Sequence, residues 1–564
     1  MSSRRNSAIA HPTAEIALDS EQVRRMSLTN RDMATISLDA AKATEAESKM
    51  TLIEGLRTYP KAVGWSVLLS AAIIMEGFDL VLIANLFAVP AFKKRFGEQL
   101  ADGSYELTAA WQSGLTNAAY VGEILGLTLN GIIADRYGFK KTMIGALALV
   151  CGLIFIVFFV QSLTQLLIGL IFMGVPWGVF QTLTTTYAAE VCPVPLRPYL
   201  TTYVNLCWVI GQFIASGVLK GVSERNDQWA YRIPYALQWI WPVPLIIGIS
   251  LAPESPWWLV RKERIDDARR MLLRLTSKQK GFNVDDTIAM MRHTNEMEKA
   301  ATDGTRYIDC FKGTDLRRTE IAAMVWFTQS FCGSSFMGFS TYFFEQAGLS
   351  TSNAFSMTLG QYALGAVGVF SAWYLMSHFG RRTLYLAGLV SLVSLQLVIG
   401  FCGIGRKDNK GLQWAIGAML LIFTFVYDCT VGPVCYSLVA EIPSTRLRQK
   451  TVVLARNVYN IAGIIGNIIT PRMLNPSAWG WGSKSAFFWA GMAALCTVWT
   501  FFRLPEPTGR TYGELDALFE QKVPARKFKS TVVKLHGSDE KVRYSEEKVK
   551  ATGMGAHIES VSSY

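Results

Sequence analysis

Three acidic side chains stand inside long apolar runs of this chain. Glu76 and Asp79 are three residues apart in the run 64–91, on one face if that run is helical, and Glu123 lies midway along 111–134. A charge at the centre of a membrane-length helix costs about 2.5–3.5 kcal/mol on insertion scales, so such residues face a cavity or a partner. Burial and a neighbour of like sign both disfavour the ionised form of a carboxyl. The chemistry that follows is reversible proton uptake. The competing reading is helix packing, but three carboxylates in two adjacent runs favour the proton role. Arg456, a turn or so into the run 451–472, is the natural counter-charge, with snorkelling to the interface as its alternative. Asp428, in the run 413–438, is a further intramembrane acid, read as a packing or gate residue.

These positions need a scaffold of membrane helices. The chain is 51% hydrophobic and only 17% charged, too apolar for an ordinary soluble protein. Twelve runs approach the ~20 residues that cross a bilayer as helix: 64–91, 111–134, 141–161, 163–189, 199–222, 233–252, 320–345, 354–377, 383–404, 413–438, 451–472 and 485–503. Here they are spans 1 to 12. The net charge of +12 is not a nucleic-acid footprint, because the basic residues cluster in loops that alternation places on one side. That side is expected to be cytoplasmic, with both termini on it, in a multi-pass protein of the plasma membrane. The nine cysteines show no CxxC or metal-like spacing and the five histidines form no cluster. No nucleophile–base pair or phosphate loop is legible, so neither an enzyme, a cofactor nor a metal is expected. Protein partners are not legible.

The charged loops repeat. AlaAspArgTyrGlyPheLysLys (134–141) is echoed by HisPheGlyArgArg (378–382), AlaAlaGluValCysPro (188–193) by ValAlaGluIlePro (439–443), and ProGluSerPro (253–256) by ProGluProThrGly (505–509). Such a repeat is expected of two similar halves that open alternately around a central site. The boundaries read are a disordered cytoplasmic tail 1–60, a six-helix half 61–256, a cytoplasmic helical link 257–318, a six-helix half 319–505 and a cytoplasmic tail 506–564 that is disordered after about 520.

GlyIleIleAlaAspArgTyrGlyPheLysLys (131–141), ProGluSerProTrpTrpLeu (253–259), PheGlyArgArg (379–382) and ProGluProThrGlyArg (505–510) resemble the signature motifs of the sugar porter family of the major facilitator superfamily. MetGluGlyPheAspLeu (75–80), ProTrpGlyValPheGlnThrLeuThrThrThrTyr (176–187) and LeuAlaArgAsnValTyrAsn (454–460) are similar to the fungal maltose and α-glucoside permeases, which are proton symporters. The resemblance implies an all-α integral membrane protein with the twelve-helix major facilitator fold. It also supports Arg456 as the counter-charge. The chain departs from the family pattern at Gln329–Ser330 (two glutamines), Ser335 (asparagine), Tyr436 (tryptophan), Asn205 (glutamine) and Leu170 (arginine in many members). These departures point away from a hexose-type site and from the usual Asp–Arg proton mechanism.

A sugar site needs amides and hydroxyls for the substrate hydroxyls and rings for the pyranose faces. The candidates are Gln181, Asn205, Gln212, Gln238, Trp239, Gln329, Ser330, Ser335, Gln361, Tyr436, Asn457 and Asn460. The resemblance puts Asn205, Gln329 and Ser335 at sugar-contacting positions; each of the others competes with a plain interhelical hydrogen bond. Asp135, Arg136, Glu190, Arg197, Glu254, Arg381, Glu441, Arg446, Arg448 and Glu506 form the charged cassettes. They are read as a cytoplasmic gate whose cross-half ion pairs hold one of two states. The expected function is import of an α-glucoside with a proton, the partners being sugar, proton and bilayer. The alternatives are a facilitator without proton coupling and a non-transporting sugar sensor of the same fold.

Overall fold

A computed structural model describes residues 50–100, 103–193, 196–277, 282–302, 306–405, 409–444, 447–508, 515, 518–529 and 531. Among them, nine helical segments are long and apolar enough to cross a membrane. Ala109–Tyr137, the segmented stretch beginning at Gly313–Phe331, and Thr351–His378 complete the twelve spans. These three carry more polar residues, such as Gln112, Asn117, Glu123 and Asn130 in span 2. Spans 3 and 4 separate as read, at Ser162, whose hydroxyl accepts the Gln165 amide at 3.2 Å and so caps span 4.

The packing repeats with the sequence. In the first half span 1 packs on span 5, span 2 on span 4 and span 3 on span 6; in the second, span 7 packs on 11, 8 on 10 and 9 on 12. The halves meet where span 2 touches span 11 and span 5 touches span 8, which is the same pairing turned over. With no hydrophobic force between helices in lipid, close approach depends on small residues. Spans 2 and 4 supply Gly122 and Gly126 against Gly174 and Gly178; a Cβ on Gly122 would stand 2.7 Å from the Gly174 Cα.

Spans 7 and 10 are broken where they pass the centre. Gly333, at φ +101°, interrupts span 7 between Phe331 and Ser335, and Thr430 interrupts span 10 between Lys410–Cys429 and Val431–Glu441. Such breaks are tolerated at membrane depth when side chains satisfy the freed backbone. Buried amides do this here: Gln396 Nε2 donates to the Cys332 carbonyl at 2.7 Å, and Gln329 Nε2 to the Gly432 carbonyl at 3.1 Å.

Two expectations need correction. The tail read as disordered to residue 60 is helical at Leu52–Thr58, because Thr51 and Glu54 form a reciprocal capping box. Beyond residue 520, read as disordered, the chain is held at least to Phe528. Phe519 and Phe528 are buried against Arg317 and Arg318, with the Arg318 guanidinium 4.4 Å from the Phe519 ring centre. The link folds as the short helices Pro256–Arg261, Ile265–Leu275 and Val284–Thr302.

Candidate functional site

The three acids sit in the first half, fully buried. Glu76 and Glu123 come from spans 1 and 2, and Gln181 of span 4 stands between them. Its Nε2 donates to Glu76 Oε1 in a short contact and to Glu123 Oε2 at 3.2 Å. Its Oε1 faces the other way and accepts from Arg456 of span 11, at 3.0 Å from Nε and 2.6 Å from the second guanidinium nitrogen. One amide thus joins a pair of carboxyls in one half to a guanidinium in the other. Arg456 meets Gln181 rather than a carboxylate, and it turns inward instead of snorkelling. Aromatic rings hold it there, its carbon 4.7 Å from the Trp326 ring centre and 4.4 Å from that of Tyr459. Asp79, one turn beyond Glu76, accepts from the Nε2 of Gln238 in a short contact, from the 3-10 turn Gln238–Ile240 that interrupts span 6.

Beside this network lies a central cavity of about 150 Å³. Asn205, Gln212, Gln329, Ser330, Ser335 and Tyr436 all line it, from spans 5, 7 and 10. Six of the twelve sequence candidates lie elsewhere. Gln181 and Gln238 serve the acids, Trp239 donates to the Cys151 carbonyl at 3.0 Å, and Gln361 is buried in span 8 away from the cavity. Asn457 and Asn460 of span 11 are also absent from its wall. The cavity also takes residues that the sequence reading did not weigh: Tyr120, Trp208, Ser334, Phe339, Tyr427, Tyr459 and Asn467. A signal was available for two of them, since Arg456, Tyr459, Gly463 and Asn467 recur on one helical face. Asp428 is in the wall too, its Oδ1 3.5 Å from the Asn205 amide nitrogen across the halves. A more apolar cavity of about 180 Å³ adjoins on the cassette side, and Trp208, Tyr436 and Arg456 line both.

Three of the cassette acids pair with a base of their own half or of the link that follows it. Arg261 pairs with Glu190 at 2.6 Å, Lys262 with Asp135 at 3.4 Å and Arg381 with Glu441 at 3.4 Å. The two ProGlu glutamates are helix caps. Glu254 accepts the backbone N–H of Phe139 at 3.0 Å and of Lys140 at 3.2 Å, at the start of span 3. Glu506 accepts that of Arg382 at 3.1 Å, at the start of span 9. Both neutralise the orphan donors of a helix N-terminus. Burial holds the Glu254 carboxyl above the usual carboxylate range, against the pull of those amides. Arg136 lies over the Tyr137 ring, Arg197 donates to the Cys192 carbonyl at 3.2 Å, and Arg448 opens span 11. Arg446 lies outside the described residues.

On the face opposite the cassettes the halves are tied together. Asn475 donates to the Leu107 carbonyl at 2.8 Å, Lys220 to the Ser352 carbonyl at 2.8 Å, the Thr341 amide to Asn85 at 3.3 Å, and Lys93 to Glu345 at 3.0 Å. The conformation is closed on that face.

The family model described as sugar (and other) transporter matches residues 65–519. A general α-glucoside permease of Saccharomyces cerevisiae is 44% identical over 501 residues, covering 88% of this chain and 81% of the relative. A maltose permease of the same yeast is 44% identical over 502 residues with the same coverage. Among solved structures, a partially occluded inward-open form of the xylose transporter XylE from E. coli superposes with a TM-score of 0.64 at 18% identity, covering 80% of this chain and 99% of that one. XylE bound to a bromodeoxyglucose gives 0.66 at 20% identity, covering 82% and 99%. The helix pairing is therefore that of the major facilitator fold, and the chain belongs to the sugar transporter family.

Proposed function

We propose that this chain imports an α-glucoside together with a proton, across the plasma membrane, by alternating access of its two halves. The observation that carries the reading is the continuity from cavity to acids. Arg456 lines the cavity with one face and meets Gln181 with the other, and Gln181 holds Glu76 and Glu123. A proton arriving on either carboxyl changes what the Gln181 amide can donate to, and so changes the hold on Arg456. Because that hold crosses the halves, protonation biases the equilibrium between the two facing states.

In this reading Glu76, Asp79 and Glu123 carry the proton, with Arg456 as the counter-charge. Asn205, Gln329, Ser330, Ser335 and Tyr436 bind the sugar, the rings of Tyr436 and Trp208 offering apolar faces to a pyranose. The cassettes lie in the cytoplasm with both termini, and in the outward-facing state their charges bridge the halves. The halves run 61–256 and 319–505, joined by the link 257–318.

Radiolabelled uptake of a panel of mono-, di- and trisaccharides, in a host lacking its own sugar carriers and with external pH recorded, tests it. The expected result is accumulation of an α-linked di- or oligosaccharide with alkalinisation of the medium. Glucose as the preferred solute, or accumulation without proton uptake, would overturn it.

A further inference from the structure

On the face away from the cassettes, the loop between spans 1 and 2 folds over the junction of the halves. It carries the helix Pro90–Phe96 and the hairpin of β1 (Glu98–Gln99) and β2 (Tyr105–Glu106), with Glu98 opposite Glu106. The hairpin brings Glu106 to 3.4 Å from Lys93, and from the other half Glu345 reaches the same ammonium at 3.0 Å. The site is largely shielded: the three side chains are 15%, 9% and 11% exposed. Their remaining atoms are engaged. Thr351 donates to Glu345 at 2.6 Å, Gln112 to Glu106 at 3.4 Å, and the Lys93 ammonium lies 5.7 Å from the Tyr342 ring centre. Burial works against the Lys93 charge, but the two carboxylates outweigh it and hold its pKa above the ordinary lysine value.

We infer that Lys93 and Glu345 are a latch, a charged pair that holds the outer mouth shut and must separate for sugar to enter. A shielded, hydrogen-bonded pair contributes more than a solvent-exposed one, and this one exists only while the halves touch on that face. Glu106 keeps Lys93 in place on its own half, so that when the halves part the ammonium retains a carboxylate. That lowers the cost of opening compared with a lone buried pair. The latch thus discriminates between the two facing states, which the contacts inside one half cannot do.

This inference rests on alternating access, but its test needs no transported sugar. Gly338 lines the cavity, and a Cβ there meets open space. The Gly338→Cys variant is treated in whole cells with a membrane-impermeant maleimide, and labelling is scored per surface molecule over the same chain without that cysteine. Lys93→Met and Glu345→Gln should each raise the labelling rate about fivefold, the shift that ~1 kcal/mol produces. Lys93→Arg, which keeps the charge, should leave it low. Thr351→Ala removes one hydrogen bond and no charge, should give a smaller rise, and serves if the charge variants do not reach the surface. Unchanged labelling in the variants that do reach the surface, or a rise in only one of Lys93→Met and Glu345→Gln, would overturn the latch. A shift in labelling in a chain that moves no α-glucoside would leave the latch standing and remove the substrate assignment instead.

Discussion

At the scale of single residues, Gln181 reorganises the picture of the acids. An arginine facing two carboxylates directly would neutralise them; an amide between them passes on only a hydrogen bond, and its two ends are chemically different. Replacing Glu76, Asp79 or Glu123 by the neutral amide should abolish uphill accumulation while sparing some downhill exchange, because binding and gating remain. Counterflow set beside net accumulation measures the split, and concentrative, pH-dependent uptake in the triple variant would make these acids packing residues. Gln181→Leu should behave like them, even though position 181 carries no charge. Gln329 presents a different case. Its Nε2 is committed to the Gly432 carbonyl while Oε1 has no hydrogen-bond partner among the described residues. Gln329→Ala should therefore raise the apparent KM for the sugar about tenfold, a loss in the range of one to two hydrogen bonds, with surface expression falling far less.

At the scale of helices, the two ProGlu glutamates of the charged cassettes cap the starts of spans 3 and 9. Gly138 has φ +90°, which lets the chain turn sharply out of span 2, and a Cβ there would stand 2.5 Å from Glu254 Oε2. Glycine and glutamate are thus one device: the turn exposes the amides of Phe139 and Lys140, and the carboxylate covers them. Glu254→Ala and Glu506→Ala should each destabilise the protein by about 1–2 kcal/mol, as the loss of an N-cap does. Thermal unfolding of the purified carrier in detergent reads this directly, and equal melting curves would mean that the carboxylates act elsewhere. The acid side of the cassettes was legible in the sequence, but their role as caps was not. Spacing shows that ProGlu recurs; it does not show that the chain returns to the N-terminus of a helix more than a hundred residues earlier.

For the whole molecule, the exchange between two facing states sets the sign of the pH response. Each proton that enters with the sugar adds about 2.3 kcal/mol per 100 mV of membrane potential. Initial uptake should therefore fall as external pH rises and should fall again when the potential is collapsed; indifference to both would leave a facilitator. Sidedness is tested separately. Cysteines placed in 225–228 and in 270–276 should react from opposite sides of the membrane, and reaction of both from one side would refute the twelve-span arrangement.

The sequence alone carried the class of the molecule, because its causes are local and repeated. Apolar runs of bilayer length, basic loops on alternate turns and cassettes in duplicate are properties of consecutive residues, and they identified the twelve spans and the two halves. It carried the intramembrane acids for the same reason, since a carboxyl in an apolar run stands out against its neighbours. What only the tertiary structure decided was which side chains meet. Gln181 and Gln238 look like any sugar-binding amide until Glu76, Glu123 and Asp79 are seen at their ends, contacts spanning from 58 to 159 residues of sequence. Asn205, Gln329, Ser330, Ser335 and Tyr436 converge on one cavity where spans 7 and 10 break at Gly333 and Thr430, and a break at membrane depth depends on distant amides to satisfy it. Lys93 and Glu345 are unremarkable loop and helix-end charges until the halves close. Periodicity along a chain specifies faces; which faces touch is settled by packing between elements that the chain itself keeps far apart.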